Sequence, residues 1–199
     1  MPAASVVTTT AVSEPVIPQR PQWATIASAA DLDRLARIEE AWDTGLRQAR
    51  RDGFGRRITA EGALLDPRGA LPQAAAPPGP YRCRLIRIGG ATIRRSYAVQ
   101  PSGFCFVGVD GAQPSFTQAT GARRPGGYLW ADNDGRVVFI GAAAVAREQI
   151  PPPYGEDAER DVIGALERVG PHRYRLVMPF PAGGATLEVL ELVPDVRPS

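Results

Sequence analysis

The chain has 199 residues, a mass of 21.3 kDa, 44% apolar and 22% charged residues, and a formal net charge of +2. That suits one domain with an appendage, and no run nears the roughly 18–20 apolar residues of a membrane-spanning helix. The charge is too small to point to nucleic acid or another polyanion. All 23 basic residues are arginine. Schiff-base chemistry and a lysine general base are therefore excluded, and cationic contacts must use guanidinium groups, which suit carboxylate and phosphate.

Residues 1–22 read as a flexible N-terminal arm rich in Ala, Val, Thr and Pro. The arm has neither the basic start nor the apolar run of a secretory signal. It fits the mature end of an exported protein or the native start of a cytoplasmic one. Residues 23–78 form a helical appendage and a Pro-rich connector. Over 29–52 the apolar positions Leu32, Leu35, Ile38, Trp42, Leu46 and Ala49 recur at helical spacing, which predicts one long amphipathic helix. Ser28 and Asp31 resemble a capping pair, and Gly53 is a natural stop. The stretch Leu71-Pro-Gln-Ala-Ala-Ala-Pro-Pro-Gly-Pro80 then ends regular structure. It serves as a linker or as an arm across a barrel mouth.

From residue 79 to 199 the period changes to two. Tyr81, Cys83 and Leu85 alternate with arginines, and Phe104 and Phe106 with Cys105 and Val107. The pattern recurs around Trp130, Val137, Val162, Leu176 and Val189. Turn signals at Gly89-Gly90, Asp110-Gly111, Gly126-Gly127, Asn133-Asp134-Gly135, Gly170-Pro171 and Gly183-Gly184 separate the runs. The expected fold is mainly β: an antiparallel, about eight-stranded β-barrel, lipocalin-like, preceded by one long amphipathic α-helix. Such a barrel has room inside for side chains or for one small ligand.

Cys83 and Cys105 lie in strands without redox-motif spacing. They form either a structural disulfide or two buried thiols. A disulfide here closes a loop worth roughly 3 kcal/mol and implies an oxidising, periplasmic or secreted location; cytoplasmic is the alternative. With one histidine, a zinc site lacks ligands, and no other metal or cofactor is indicated. His172 falls at a turn. The Thr120–Gly127 loop brings glycines and Arg123 and Arg124 together, a combination able to take an anion. The acidic run Glu156, Asp157, Glu159 and Asp161 reads as polar structure before a strand, not as an EF-hand.

The succession of Trp42, Leu65-Asp66-Pro67, Pro77-Pro-Gly-Pro-Tyr-Arg-Cys83, Phe104-Cys105, Arg124-Pro-Gly-Gly127, Val138-Phe-Ile-Gly141, Tyr154-Gly155, Arg160-Asp-Val-Ile-Gly164 and Tyr174-Arg-Leu-Val177 resembles a bacterial domain-of-unknown-function family of small exported proteins. The resemblance spans residues 22–194. It implies an envelope location and supplies no catalytic residues. A looser likeness is to lipocalin-like periplasmic protease inhibitors, through the arm, the cysteine pair and the barrel pattern. Three functions are carried forward. The first is a non-catalytic envelope binding protein with a small molecule in the barrel or a protein partner on its rim. Its binding residues are Arg123, Arg124, Tyr128, Trp130, Tyr154, Arg160, Asp161 and Tyr174, with Phe104 as a further cavity-lining aromatic. The second is a protease inhibitor acting through the arm or loops. The third is an enzyme using Asp161, Glu159, Arg124 or His172.

Overall fold

The computed structural model describes residues 21–90 and 95–195. The N-terminal arm lies outside them except for its last two residues. Four helices come first: α1 (Trp23–Ile26), α2 (Ala29–Ala36), α3 (Ile38–Ala49) and α4 (Gly55–Ala60). The expected single helix, 29–52, is broken once, and the chain turns again at its expected stop. Arg37 leaves helical geometry between α2 and α3. Gly53, at φ 90°, kinks a π-type turn between α3 and α4. Gly53 turns the chain, as its left-handed tolerance allows, but does not end the helical layer. Ser28 caps α2, its Oγ accepting the Asp31 amide at 3.2 Å. A 3₁₀ turn, Gly62–Leu65, closes the layer.

Nine strands follow: β1 (Gly79–Ile88), β2 (Tyr97–Val99), β3 (Gly103–Asp110), β4 (Gln113–Gln118), β5 (Arg123–Asn133), β6 (Arg136–Val145), β7 (Asp161–Gly170), β8 (Arg173–Pro179) and β9 (Leu187–Pro194). Eight of them close an antiparallel barrel in the order β1-β3-β4-β5-β6-β7-β8-β9, with β9 pairing back to β1. The ninth, β2, shares an edge of β1 with β3. Residues 79–83 of β1 pair with β3, and 86–88 with β2.

Gly126 and Gly127 are not a turn. They lie within β5, opposite Ala142 and Gly141. Their role is close approach: a Cβ on Gly141 would sit 2.2 Å from the Gly126 carbonyl oxygen, and one on Gly127 2.3 Å from that of Ile140. The glycine pair lets two long strands pinch together, which a sequence reading takes for a hairpin.

The inward residues are those of the period-two pattern. Tyr81, Cys83, Leu85, Phe116, Leu129, Phe139, Leu166, Tyr174, Leu176 and Leu190 form the interior cluster. The Cys83–Cys105 disulfide joins β1 to β3 inside it, with Cα atoms 5.9 Å apart. Strands β6 to β9 and the end of β1 are buried on their outer side as well. Trp42, Leu46, Ile58 and Leu64 cover Ile86, Ile88, Val177, Leu187 and Val189. Leu35 covers Val138, Ile140 and Ile163. Burial on both faces explains the continuous apolar run at Val137–Ile140.

Arg175 fastens this layer to the barrel. It points outward from β8 yet has no solvent exposure. Its Nε donates to Glu167 Oε2 at 2.7 Å, and its terminal nitrogens donate to the carbonyls of Ala63, Leu64, Asp66 and Pro67 at the end of the 3₁₀ turn. Its guanidinium lies 4.9 Å from the centre of the Trp42 ring. Arg84 makes a second fastening, donating to both Glu61 oxygens and to Glu191.

The connector, residues 66–78, closes one barrel end. The Leu71 amide donates to the Arg168 carbonyl at 2.8 Å, and the Ala74 amide to that of Asp134 at 3.1 Å. Ala76 belongs to the interior cluster. Among the described residues, the opposite end stays open.

Candidate functional site

The open end holds a cavity of 270 Å³. Alternation positions its lining. On β1, Leu85 points inward and so does Arg87, two residues on. On β9, Leu190 points inward and so does Glu188. Register sets Arg87 opposite Glu188. The same parity on β5 and β4 brings Arg123 and Gln118 to the mouth, above an apolar floor of Leu85, Val162, Met178 and Pro125. The segment Pro181, Ala182 and Gly183 forms one wall, and Arg34 of α2 and Asp161 of β7 reach another.

Each charged group has a defined place. Arg87 Nε lies 2.9 Å from Glu188 Oε1, off the N–H direction, so this buried donor has no hydrogen-bond acceptor. Arg87 Nη2 donates to the Gly183 carbonyl at 2.6 Å and ties down the wall. Burial pushes the Glu188 carboxyl above the ordinary range, with Arg87 and Arg123 partly offsetting it. Arg123 Nη2 donates to the Glu159 carbonyl at 2.8 Å. No carboxylate lies within 4.0 Å of Arg123 among the described residues. Burial, with Arg160 and Arg34 nearby, lowers its guanidinium from the usual value despite Glu188. The Asp161 carboxyl is raised, chiefly by burial, although it accepts the Gly155 amide at 2.9 Å.

Of the residues singled out from the sequence, Arg123 and Asp161 reach this cavity. Arg160 lines an adjoining recess that shares Arg123, Ala182 and Gly183 with it, and Arg124, at an outward position of β5, does not reach it. Arg160 grips Glu148 through both terminal nitrogens, at 3.0 and 2.6 Å, and Arg124 donates to the carbonyls of Gly121, Ala146 and Glu148. Tyr154 binds the helical layer: its hydroxyl donates to the buried Asp31 and accepts the Ser28 amide at 2.9 Å. Trp130 packs outside the barrel against the same layer. Tyr128 and Phe104 are exposed on the outer wall. Tyr174 lies in the filled part of the interior, edge-on to Tyr81 at 6.2 Å. The four aromatics therefore share no cavity. Tyr128, Trp130 and Phe104 occupy outward positions, and Tyr174 sits deep in the core. Of the glycines expected to cradle an anion beside Arg123, Gly126 and Gly127 lie in the β5 ladder, and Gly121 precedes the strand, its carbonyl accepting from Arg124. His172 is exposed at the β7–β8 turn. Among the described residues, no three metal-ligating side chains converge.

Sequence reasoning missed Arg87 and Glu188. The available signal was parity: an inward Glu two residues before inward Leu190, opposite an inward Arg two residues after Leu85.

No curated protein matches the chain. Among solved structures it is similar to a redesigned β-barrel at 8% identity and a TM-score of 0.41, covering 62% of this chain and 96% of that one. Over residues 23–192 the chain matches the family described as a domain of unknown function, DUF4893, and it belongs to that family.

Proposed function

We propose that this protein is a non-catalytic binding protein that holds one small ligand in the open end of its barrel, a lipocalin-like use of the fold. The observation that carries this reading is the asymmetry of the barrel. One end is stopped by the connector, and the other keeps a 270 Å³ cavity with an apolar floor and a charged rim. A concave apolar site with a few convergent polar groups is the usual form of a small-molecule site. Its walls carry guanidinium, carboxylate and amide groups and no hydroxyl, thiol or imidazole among the described residues. That set binds and orients.

The proposed location is the bacterial periplasm or the cell exterior. The Cys83–Cys105 disulfide supports it, since such bonds persist in oxidising compartments. Native mass spectrometry of the protein isolated gently from its own cells, without reduction, tests both parts. The expected result is a chain two hydrogens lighter than the dithiol, carrying a small adduct that denaturation releases. A reduced chain with nothing bound contradicts the reading.

A further inference from the structure

We propose that the ligand of the mouth cavity is a small monocarboxylate with an apolar body, its carboxylate held by Arg123 and its body resting on Leu85, Val162 and Met178. This rests on the mouth being the ligand site. The first argument is an imbalance of partners. The other arginines that line the cavity have carboxylates: Arg34 has Asp31 and Arg87 has Glu188, and neighbouring Arg160 has Glu148. Among the described residues, Arg123 has only the carbonyl of Glu159. A half-buried guanidinium has five N–H donors, and burying a cation without a counter-ion is costly. Arg123 is the lining guanidinium with no carboxylate within 4.0 Å among the described residues. The lowered proton affinity of Arg123, caused first by burial, agrees with that.

The second argument is shape. The planar guanidinium fork matches a carboxylate through two parallel hydrogen bonds. The 270 Å³ volume is nearly twice the ~150 Å³ of a cavity that takes one benzene. It fits a single ring or a short alkyl chain with its head group.

The third argument is exclusion. Glu188, with a side chain only 13% exposed, and the buried Asp161 also line the cavity. A ligand with two negative charges would meet these carboxylates with only one uncommitted guanidinium to compensate. Phosphomonoesters and dicarboxylates are therefore disfavoured.

The test is isothermal titration of the full chain with matched probes: benzoate, benzyl alcohol and phenyl phosphate, then hexanoate and hexanol. The acids should bind at least about tenfold tighter than their alcohols, the minimum for a hydrogen-bonded charge pair. Benzoate should also bind tighter than phenyl phosphate. Arg123→Gln should abolish the acid preference while weak alcohol binding persists. Arg123→Lys, which keeps the charge but loses the fork, should fall between. Glu188→Gln should raise affinity for phenyl phosphate. Thermal melts of each variant confirm folding. If acid and alcohol bind equally, or the preference survives Arg123→Gln, the carboxylate assignment is overturned and the mouth remains a ligand site. If no probe binds the wild-type chain, both proposals fall.

Discussion

Replacing Arg175 with methionine should uncouple the helical layer from the barrel. Methionine keeps most of the stem volume and removes the guanidinium. Of the carbonyls that guanidinium serves, those of Ala63, Asp66 and Pro67 belong to exposed residues and regain water, whereas Leu64 has no exposure. Glu167, with a side chain 13% exposed, keeps its charge and loses its partner. Breaking a buried pair by removing one member costs about 3–5 kcal/mol, and a stranded buried carbonyl costs about 1–3 kcal/mol. Partial hydration of Glu167 brings the sum to the low end, about 4 kcal/mol. At roughly 2–4 °C per kcal/mol for a chain of this size, the melting temperature should fall by about 8–16 °C. Denaturant unfolding followed by tryptophan fluorescence reads this directly, because Trp42 lies beneath the guanidinium. Adding Glu167→Gln should recover about 2 kcal/mol, since no buried charge is then unpaired. A single variant that loses under about 1 kcal/mol, or a double variant no more stable than the single, would refute the role assigned to Arg175.

Three further outcomes follow from the same reasoning. Gly141→Ala should destabilise by roughly 3 kcal/mol in denaturant melts, because the new Cβ meets the backbone of β5, which cannot rotate away. Cys83→Ala with Cys105→Ala should lower stability by about 3 kcal/mol, the loop-closure value for a separation of 22 residues, read as a difference in denaturant midpoint. Asp161→Asn should be neutral at acid pH and stabilising at neutral pH in a series of thermal melts. The raised carboxyl binds its proton more tightly in the folded state, so the wild-type chain loses stability as pH rises from the ordinary carboxylate range through the raised folded value. Asparagine carries no such proton and can still accept the Gly155 amide.

Alternation made the barrel legible. Tyr81-Cys83-Leu85 and Tyr174-Leu176-Met178 turn inward together, and the two cysteines meet inside. The helix break at Arg37 was hidden because the apolar stripe runs through it without interruption, and a break there costs no exposed apolar surface. Arg175 was hidden for the opposite reason. An arginine at an outward strand position reads as solvated unless the sequence reveals that a helical layer lies over it. The candidate site was legible only in Arg123 and Asp161. Which end of a barrel stays open depends on where the connector runs, and that is settled by contacts such as Leu71 with Arg168, some 97 positions apart in the chain. Tyr128 and Trp130 sit on the outer face because β5 keeps Leu129 inward, and a period of two does not say which set is which.

The most direct test of the central claim is a titration of the isotope-labelled chain with benzoate, followed amide by amide in nitrogen–proton correlation spectra. Saturating shifts should concentrate at the open end, at Arg87, Gln118, Arg123, Val162 and Glu188, and leave Tyr174 and the connector unmoved. Shifts confined to the outer wall around Phe104 and Phe106, or to the helical layer, would contradict a ligand site in the barrel mouth.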